Sequence, residues 1–452
     1  MKIINRVFYI IGFLLVVLVV SLIVSSNSSW VIQKLANKYA PSYGVEYSSI
    51  EGNILNGVSI KNLSYEHHPI ASKVTFRWNP LALVDSTLSI NKLHLYELNV
   101  TAIKQIVAST SSQDDNDTKE SSPLPKILIK CDSLHLDTLK FDEQNISFDK
   151  VVLDAKALRY TLGVDGVDIG YVGIDIDSNI TKLKLDMALK NKKLTIKKAD
   201  ITKIDINSIL AMQKSDSNTT QNTTETNTTT SKPNEWIPQK VAIKSLHIDT
   251  LPSVIKPVHL HEFDLNISDM DIDVATKMVR QGRVNLFLLS NLSKVSHSGR
   301  VKDNEYKGSI QLLPNKHLFE LYKLPLRKEA FGDILIDFDI NKELAKATLQ
   351  ASAKQILMLK DTNSTKEFNV DIDKLKSIVS YKFDDGSLVA DTILLVSTPY
   401  AKGIEVNNHL DIHKDISYRG NIKAKKIENL DKNISKLIED IHITYSGDMQ
   451  QA

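Results

Sequence analysis

The chain has 452 residues, of which 42% are hydrophobic and 24% are charged, so most of it can bury apolar surface and a wholly disordered protein is excluded. Lys plus Arg number 56 and Asp plus Glu number 54, and this balance gives no bulk electrostatic reason to bind nucleic acid. A single cysteine, Cys131, excludes an intramolecular disulfide and a cysteine-rich metal site. The composition favours a structural or carrier protein.

An apolar segment near the N-terminus predicts a membrane anchor within residues 1–28. Val7–Val24 is almost wholly apolar, and its length nearly covers the ~30 Å hydrocarbon core of a bilayer. Lys2 and Arg6 precede it, which predicts a single-pass protein with a cytoplasmic N-terminus and the rest of the chain outside the cytoplasm. A cleaved signal peptide is the alternative, although its apolar region would be long. The anchor side chains are Val7, Phe8, Phe13, Leu14, Leu18, Leu22 and Val24.

After the anchor, a short amphipathic helix is expected over Ser29–Tyr39, and from Val45 onward the hydrophobic period changes to two. Thr181–Leu189 and Asp333–Ile340 show this alternation clearly, with apolar residues on one face and charged or polar residues on the other. Such alternation is typical of antiparallel strands with one apolar and one wet face. A parallel α/β fold is disfavoured, because long crossover helices do not alternate with the strands.

Several breaks interrupt the strand pattern. The alternation slips by one residue at Ser268–Asp269, which predicts a β-bulge or a turn. Helical spacing of apolar residues predicts four short helices, at Thr101–Val107, Asn207–Met212, His317–Lys323 and Ile427–Ile441.

Two stretches, Ser109–Ser122 and Lys214–Glu235, are almost wholly polar and are expected to be disordered loops. Matching sequences flank them. Leu88–Ile103 resembles Leu194–Ile209 before the loops, and the heptapeptide SLHLDTL after the first loop corresponds to SLHIDTL after the second. A repeat of roughly 110 residues is therefore expected. The predicted organisation is a first module at 29–108, a loop at 109–123, a second module at 124–213, a loop at 214–236 and further modules over 237–452.

Catalytic constellations are missing from the sequence, which predicts a protein that is not an enzyme and needs no cofactor and no metal. His67 and His68 would point to opposite faces of a strand, and His259 and His261 would share a face without a third ligand nearby. The acidic run Asp264–Asp273 lacks the glycine and the spacing of a calcium loop. Cys131 lies in a strand region and is expected to be an inert apolar residue.

Three asparagines in the predicted loops, Asn116, Asn218 and Asn227, stand in the pattern acidic-x-Asn-x-Ser/Thr. This pattern resembles the extended acceptor of bacterial N-glycosylation. Glycosylation is one interpretation, and chance matches in a chain rich in Asn, Asp and Thr are the other.

The segment Tyr43–Val100 resembles the N-terminal module of the TamB and AsmA-like envelope proteins, most specifically at the Gly52 and Gly57 pair and at the Trp78-x-Pro80 step. The resemblance implies an inner-membrane anchor and a periplasmic β-groove that passes phospholipids toward the outer membrane. It also implies assembly of outer-membrane proteins with an outer-membrane barrel of the TamA type. The family's C-terminal domain is not evident before Ala452, which predicts a shorter member or a truncated or split product.

The expected fold class is mainly β: an anchor followed by an elongated antiparallel repeating β-groove, a curled ribbon with short helices and disordered loops. An open apolar trough would bind phospholipid acyl chains by hydrophobic transfer. A structural or adhesive envelope protein with closed β-sandwich cores is the main alternative, and an enzyme with an unrecognised site is a third. The expected groove-lining residues are Leu183, Leu185, Met187, Ile334, Ile336 and Phe338.

Overall fold

The structure is a computed structural model that describes residues 28–53, 56–111, 127–138, 146–161, 167–216, 238–321, 331–359, 367–413, 415–426 and 439–450. The chain divides into two compact units. Unit 1 comprises Met1–Asp200 and Asp216–Lys240, and unit 2 comprises Ile201–Ser215 and Val241–Ala452.

The first part of the chain begins with a helix and continues mainly as strands. Its helical elements in the described residues are α1 (Ser29–Tyr39), α2 (Val100–Ser111) and two 3₁₀ turns, Ala40–Tyr43 and Pro80–Asp85. Its strands are β1 (Val45–Glu46), β2 (Ser49–Asn53), β3 (Gly57–Tyr65), β4 (His68–Asn79), β5 (Thr87–Tyr96), β6 (Leu128–Asp137), β7 (Phe148–Thr161), β8 (Val167–Ser178), β9 (Lys182–Lys190) and β10 (Lys193–Ile204).

The second part has the same character. Its helices in the described residues are α3 (Ile206–Asp216) and α4 (Lys316–Leu321). Its strands are β11 (Lys240–Thr250), β12 (Ser253–Ile255), β13 (Val258–Asp273), β14 (Met278–Ser290), β15 (Ser293–Lys302), β16 (Glu305–Pro314), β17 (Phe331–Ile340), β18 (Leu344–Leu359), β19 (Glu367–Lys382), β20 (Leu388–Ser397), β21 (Ile404–Ile412), β22 (Asp415–Lys426) and β23 (Glu439–Gln450).

Within each unit, strands that follow one another along the chain pair edge to edge. From β2 to β5 and from β6 to β9 in unit 1, and from β13 to β23 in unit 2, every such pair is antiparallel. The pair β5 and β6 is parallel, and helix α2 lies between these two strands in the sequence. The prediction of a mainly β, open antiparallel fold is confirmed, and the parallel pairing of β5 with β6 is an exception to it.

The individual elements agree closely with the sequence pattern. The helix predicted at Ser29–Tyr39 is α1, and the alternations at Thr181–Leu189 and Asp333–Ile340 are β9 and β17. The predicted slip at Ser268–Asp269 is a register shift in the pairing of β13 with β14, where Asp269 has a positive φ of 51°. The first three predicted short helices are α2, α3 and α4.

One predicted helix is wrong where the structure describes it. Residues 427–438 lie outside the described residues, but the last part of the predicted helix Ile427–Ile441 belongs to strand β23. Ile441 pairs with Ala424 of β22, and Ile441 and Ile443 alternate with His442 and Thr444. Strand pairing therefore overrides a helical spacing that the same isoleucine also satisfies.

The two predicted loops begin later than expected, because α2 continues to Ser111 and α3 to Asp216. The rest of both segments lies outside the described residues.

The repeat has a structural counterpart in the order strand, helix, strand, namely β5–α2–β6 and β10–α3–β11. Glu97 and Lys203, which occupy the same place in the aligned sequences, both have a positive φ, of 51° and 56°. His135 Nδ1 lies 2.7 Å from Asp154 Oδ1, and the corresponding His247 Nδ1 lies 3.0 Å from Asn266 Oδ1.

Equivalent side chains also cap the two helices of the repeat. Asn99 Oδ1 accepts a hydrogen bond of 3.1 Å from the Ala102 N–H at the start of α2. Asp205 Oδ1 accepts one of 3.1 Å from the Ser208 N–H at the start of α3, and Asp205 Oδ2 accepts the Ser208 hydroxyl at 2.7 Å. These hydrogen bonds, first from the hydroxyl and then from the backbone, lower the pKa of the Asp205 carboxyl.

Helix α2 has an amide cap and helix α3 has a carboxylate cap. The stability of the first turn is therefore expected to depend on pH in α3 but not in α2. Because the folded-state pKa of Asp205 is lowered, its stabilisation of about 1 kcal/mol is present above the unfolded-state pKa and is lost as the pH falls through the folded-state pKa. We expect NMR shifts of residues 206–209 to lose helical character in acid while those of α2 do not. Asp205→Asn should abolish the effect, and fraying that persists in this variant would contradict the explanation.

Candidate functional site

The apolar residues of unit 1 form rows that run across the strands. Residues directly opposite each other in paired strands have their side chains on the same face of the sheet. From Leu185 of β9, the pairing leads through eight strands, and every position is a large aliphatic residue. This row is Leu185, Ile174, Leu153, Leu136, Leu95, Val74, Ile60 and Ile50.

The two other residues predicted in β9 lie on the same face. Met187 belongs to a second apolar row of eight positions, and Leu183 is opposite Ile176, which is opposite Val151. The second row is Met187, Val172, Ala155, Leu134, Leu93, Phe76, Val58 and Gly52. Strand pairing therefore brings Leu183, Leu185 and Met187 into one apolar face of unit 1.

Unit 2 has an apolar face of the same kind, built on β13 to β23. Ile334 lies in a row of eleven strands whose members are all apolar. This row is Phe263, Leu288, Val295, Leu312, Ile334, Ala351, Leu375, Leu394, Val406, Ile422 and Ile443. Phe338 lies in a second row, on the same face as that of Ile334, which contains only aliphatic, aromatic and glycine residues. That row is Ile267, Val284, Gly299, Gly308, Phe338, Ala347, Val379, Ala390, Leu410, Tyr418 and Gly447.

Ile336 lies between these two rows, and its own row is the one that polar residues interrupt. Its members are Leu265, Leu286, His297, Ile310, Ile336, Leu349, Ser377, Thr392, Asn408, Gly420 and Tyr445. Alternation in the sequence predicts that Ile334, Ile336 and Phe338 share a face, but it does not predict their partners, because the partners are set by strand register.

The imidazole of His297 fits this apolar face because both of its nitrogens have partners. Nδ1 lies 2.9 Å from the Ser309 carbonyl oxygen, which requires Nδ1 to donate, and Nε2 is hydrogen-bonded to the Tyr306 hydroxyl. The His297 ring stacks on Phe338 with the centroids 5.6 Å apart, and burial raises the pKa of Tyr306. His297 therefore lies on the apolar face with both ring nitrogens hydrogen-bonded.

The second interruption is a short polar strip on β19, β20 and β21. The Ser377 and Thr392 hydroxyls are hydrogen-bonded to each other at 2.8 Å. Asn408 lies next to Thr392, and its Oδ1 is buried without a hydrogen-bond partner among the described residues. This strip is flanked by the two rows of Ile334 and Phe338, so apolar surface continues on both sides of it.

The apolar faces are open rather than sealed by a second layer. The six predicted lining residues are each partly exposed, and no large side chain in the described part of the chain is fully buried. In a closed β-sandwich, the large side chains between the two sheets are almost fully buried. The sandwich cores of the alternative interpretation are therefore not found in the described residues.

The opposite face of the sheet is polar and carries lysine–aspartate ion pairs. In unit 1, Lys150 Nζ lies 2.7 Å from Asp175 Oδ2, and this hydrogen bond raises the pKa of Lys150. In unit 2, Lys307 Nζ lies 2.8 Å from Asp339 Oδ2. Exposed pairs of this kind contribute little to stability, so their main effect is to keep this face hydrated.

A concave pocket of about 370 Å³ lies on the polar side of unit 1. Lysines and aspartates of both signs line it, together with Tyr171, whose hydroxyl donates to Asp186 Oδ1 at 2.9 Å. This hydrogen bond raises the pKa of Tyr171. Two ion pairs contribute to its lining, Lys150 with Asp175 and Lys198 with Asp200.

The sequence candidates for metal binding do not converge. Among the described residues, no group of three or more His, Cys, Asp or Glu side chains could hold a metal ion. His259 and His261 are exposed, and His67 lies in a turn, where its Nδ1 is 2.8 Å from Glu46 Oε1. The Cys131 thiol is buried in the sheet, and burial raises its pKa, as expected for an inert cysteine.

Several predictions lie outside the described residues. These are the apolar segment Val7–Val24 with its anchor side chains, and the asparagines Asn116, Asn218 and Asn227. None of the helices in the described ranges is both long enough and apolar enough to span a bilayer. The anchor and the glycosylation sites remain predictions.

The described residues define a class of protein built from open β-sheets with one apolar and one polar face. Residues 15–179 match the family model described as TamB, N-terminal domain, and this stretch includes the eight strands β1 to β8. The expected resemblance is therefore confirmed over that stretch, where the chain is TamB-like. TamB proteins form a transport and assembly family rather than an enzyme family. No match was found to a curated protein or to a solved structure.

Proposed function

We propose that this chain is an inner-membrane-anchored envelope protein whose apolar faces carry phospholipid acyl chains through the periplasm toward the outer membrane. The observation that carries the proposal is the continuity of the apolar rows, which is complete over eight strands at Leu185 and over eleven at Ile334. The match to the TamB N-terminal domain supports an envelope location.

The chemistry of the face suits a carrier without a catalytic residue. An acyl chain that leaves water for this face gains ~0.8 kcal/mol per buried CH₂ group. The next strand lies about 4.8 Å away and offers side chains of the same kind, so a lipid meets no large free-energy step along a row. The head group remains in water, because the face is open. Assembly of outer-membrane proteins with an outer-membrane barrel of the TamA type is implied by the family resemblance and stays a prediction.

Site-specific photo-crosslinking tests the proposal directly. The photoreactive amino acid p-benzoylphenylalanine is placed at Leu185, on the apolar face, or at the neighbouring Lys184, which is exposed on the opposite face. After irradiation in cells, we expect a phospholipid adduct at position 185 and at least about tenfold less at position 184, since an acyl chain contacts only the apolar face. Mass spectrometry of the full-length chain measures both.

Equal labelling at the two positions, or no labelling at position 185 in a chain with a native circular dichroism spectrum, would overturn the proposal. Ile336 and Asp337 provide the same matched pair in unit 2.

A further inference from the structure

The 3₁₀ turn Pro80–Asp85 presents three aliphatic side chains to solvent. Leu81, Leu83 and Val84 are 77%, 50% and 86% exposed. The turn is well fixed, because the Asn79 side chain accepts from the Leu81 N–H at 3.1 Å and the Ser86 N–H donates to the Leu83 carbonyl oxygen. An ordered turn that holds three adjacent apolar side chains in water is a mark of an interaction surface.

The strand register shows at which end of unit 1 this turn lies. Val58, at the start of β3, pairs with Phe76, near the end of β4, so the 3₁₀ turn that follows β4 lies at the same end as Gly57. Tyr65 pairs with His68, which places the turn between β3 and β4 at the opposite end.

Helix α1 points toward the same end as the 3₁₀ turn. Tyr47, just before β2, donates to Asn37 Oδ1 at 2.6 Å, and Gln33 Nε2 donates at 3.2 Å to the carbonyl oxygen of Ile50 in β2. The start of α1 therefore lies toward the Asn53 end of β2, which pairs with Gly57. Trp30, in the first turn of α1, is 62% exposed, and the Lys34 Nζ lies 4.7 Å from the centroid of its ring.

We propose that the turn Pro80–Asp85 inserts into the bilayer interface, beside the place where the chain enters the membrane. The apolar segment Val7–Val24 ends four residues before Ser28, so the chain leads to the start of α1 directly from a stretch fit for the membrane. An exposed tryptophan with a neighbouring lysine is typical of the head-group region. The two contacts, α1 and the turn, would hold this end of unit 1 against the lipid from which acyl chains enter the sheet. The inference rests on the membrane anchor of the proposed function, but not on transport along the apolar face.

Fluorescence quenching by lipids tests this inference on the full-length chain. Val84→Cys, in a Cys131→Ala background, is labelled with an environment-sensitive dye, and the chain is reconstituted in vesicles of phosphatidylethanolamine and phosphatidylglycerol. His67→Cys is the control, because His67 is 88% exposed in the turn at the opposite end of unit 1. We expect lipids with a shallow doxyl quencher to reduce the emission at position 84 at least about twofold more than at position 67.

Equal quenching at both positions, or none at position 84, would overturn the inference. A blue-shifted dye at position 84 without quenching would assign the turn to a protein contact, such as the segment Val7–Val24 itself, and would also overturn it. A second variant, Leu81→Ser with Leu83→Ser, keeps the cap from Asn79 and should lower the quenching at position 84. The crosslinking at Leu185 tests transport separately, so failure of one experiment does not decide the other.

Discussion

Ile336→Asp is expected to reduce phospholipid passage about tenfold to thirtyfold while leaving unit 2 folded. Ile336 lies opposite Ile310 of β16 and Leu349 of β18, and it separates the continuous rows of Ile334 and Phe338. A carboxylate at this point removes apolar contact from two or three CH₂ groups of a passing acyl chain, about 2 kcal/mol in total. A free-energy barrier to passage that is higher by about 2 kcal/mol slows passage about tenfold to thirtyfold.

The fold should tolerate the substitution, because Ile336 is only partly buried and the carboxylate keeps its contact with water. We expect the free energy of unfolding to fall by about 1 to 2 kcal/mol, against the much larger loss that an unpaired charge causes inside a closed core. The arrival of pulse-labelled phospholipid in the outer membrane, in cells that depend on this chain, measures passage. Thermal unfolding followed by circular dichroism measures stability.

Leu335→Asp is the matched control, since it introduces the same carboxylate one residue away on the opposite face. Leu335 lies opposite Gln311 and Gln350, on the polar side of β17. This variant should keep phospholipid passage close to the wild-type rate. Equal passage in both variants would contradict transport on the apolar face, and cooperative unfolding of unit 2 in Ile336→Asp would show that the face is sealed.

The local features of the fold could be predicted because they depend on the neighbouring residues in the sequence. Period-two alternation predicts β9 and β17 nearly to their ends, and the slip at Ser268–Asp269 predicts the bulge in β13. The helix predicted at Ile427–Ile441 was wrong at its end, since Ile441 satisfies both the helical and the strand spacing. Only the partner strand, β22, decides between them.

The rows of the candidate site could not be predicted, because they depend on register between strands far apart in sequence. Alternation assigns Ser377 and Asn408 to a face, but it does not place Ser377 two strands away from Asn408 with Thr392 between them. The parallel step between β5 and β6 was missed for the same reason. Local alternation predicts a strand at β5 and at β6, but it does not show in which direction they pair.

Gly52→Ala is expected to lower the free energy of unfolding of the β2–β3 hairpin by about 3 kcal/mol or more. Gly52 has a φ of 101°, and a Cβ atom at this position would lie 2.2 Å from the Gly57 carbonyl oxygen, a backbone atom that cannot move without breaking the hairpin. The conformation and the overlap are both unfavourable for alanine. Faster amide exchange over residues 49–61, measured by mass spectrometry, would report the loss.

Gly403→Ala separates the two causes. Gly403 also has a positive φ, of 64°, but no atom of the described residues lies within 4 Å of the place that an alanine Cβ would take. This variant should be destabilised only by the left-handed backbone, by about 1 kcal/mol. Equal effects of the two substitutions would refute the role of the close approach.

Opening the β2–β3 hairpin should also affect the apolar face and helix α1, because Gly52 lies near the contacts of both. Gly52 ends the row of Met187 and lies two residues after Ile50, which ends the row of Leu185 and supports α1 through Gln33. Opening this hairpin should therefore remove both the first strand of the apolar face and the contact that directs the start of α1 toward the Gly57 end of unit 1.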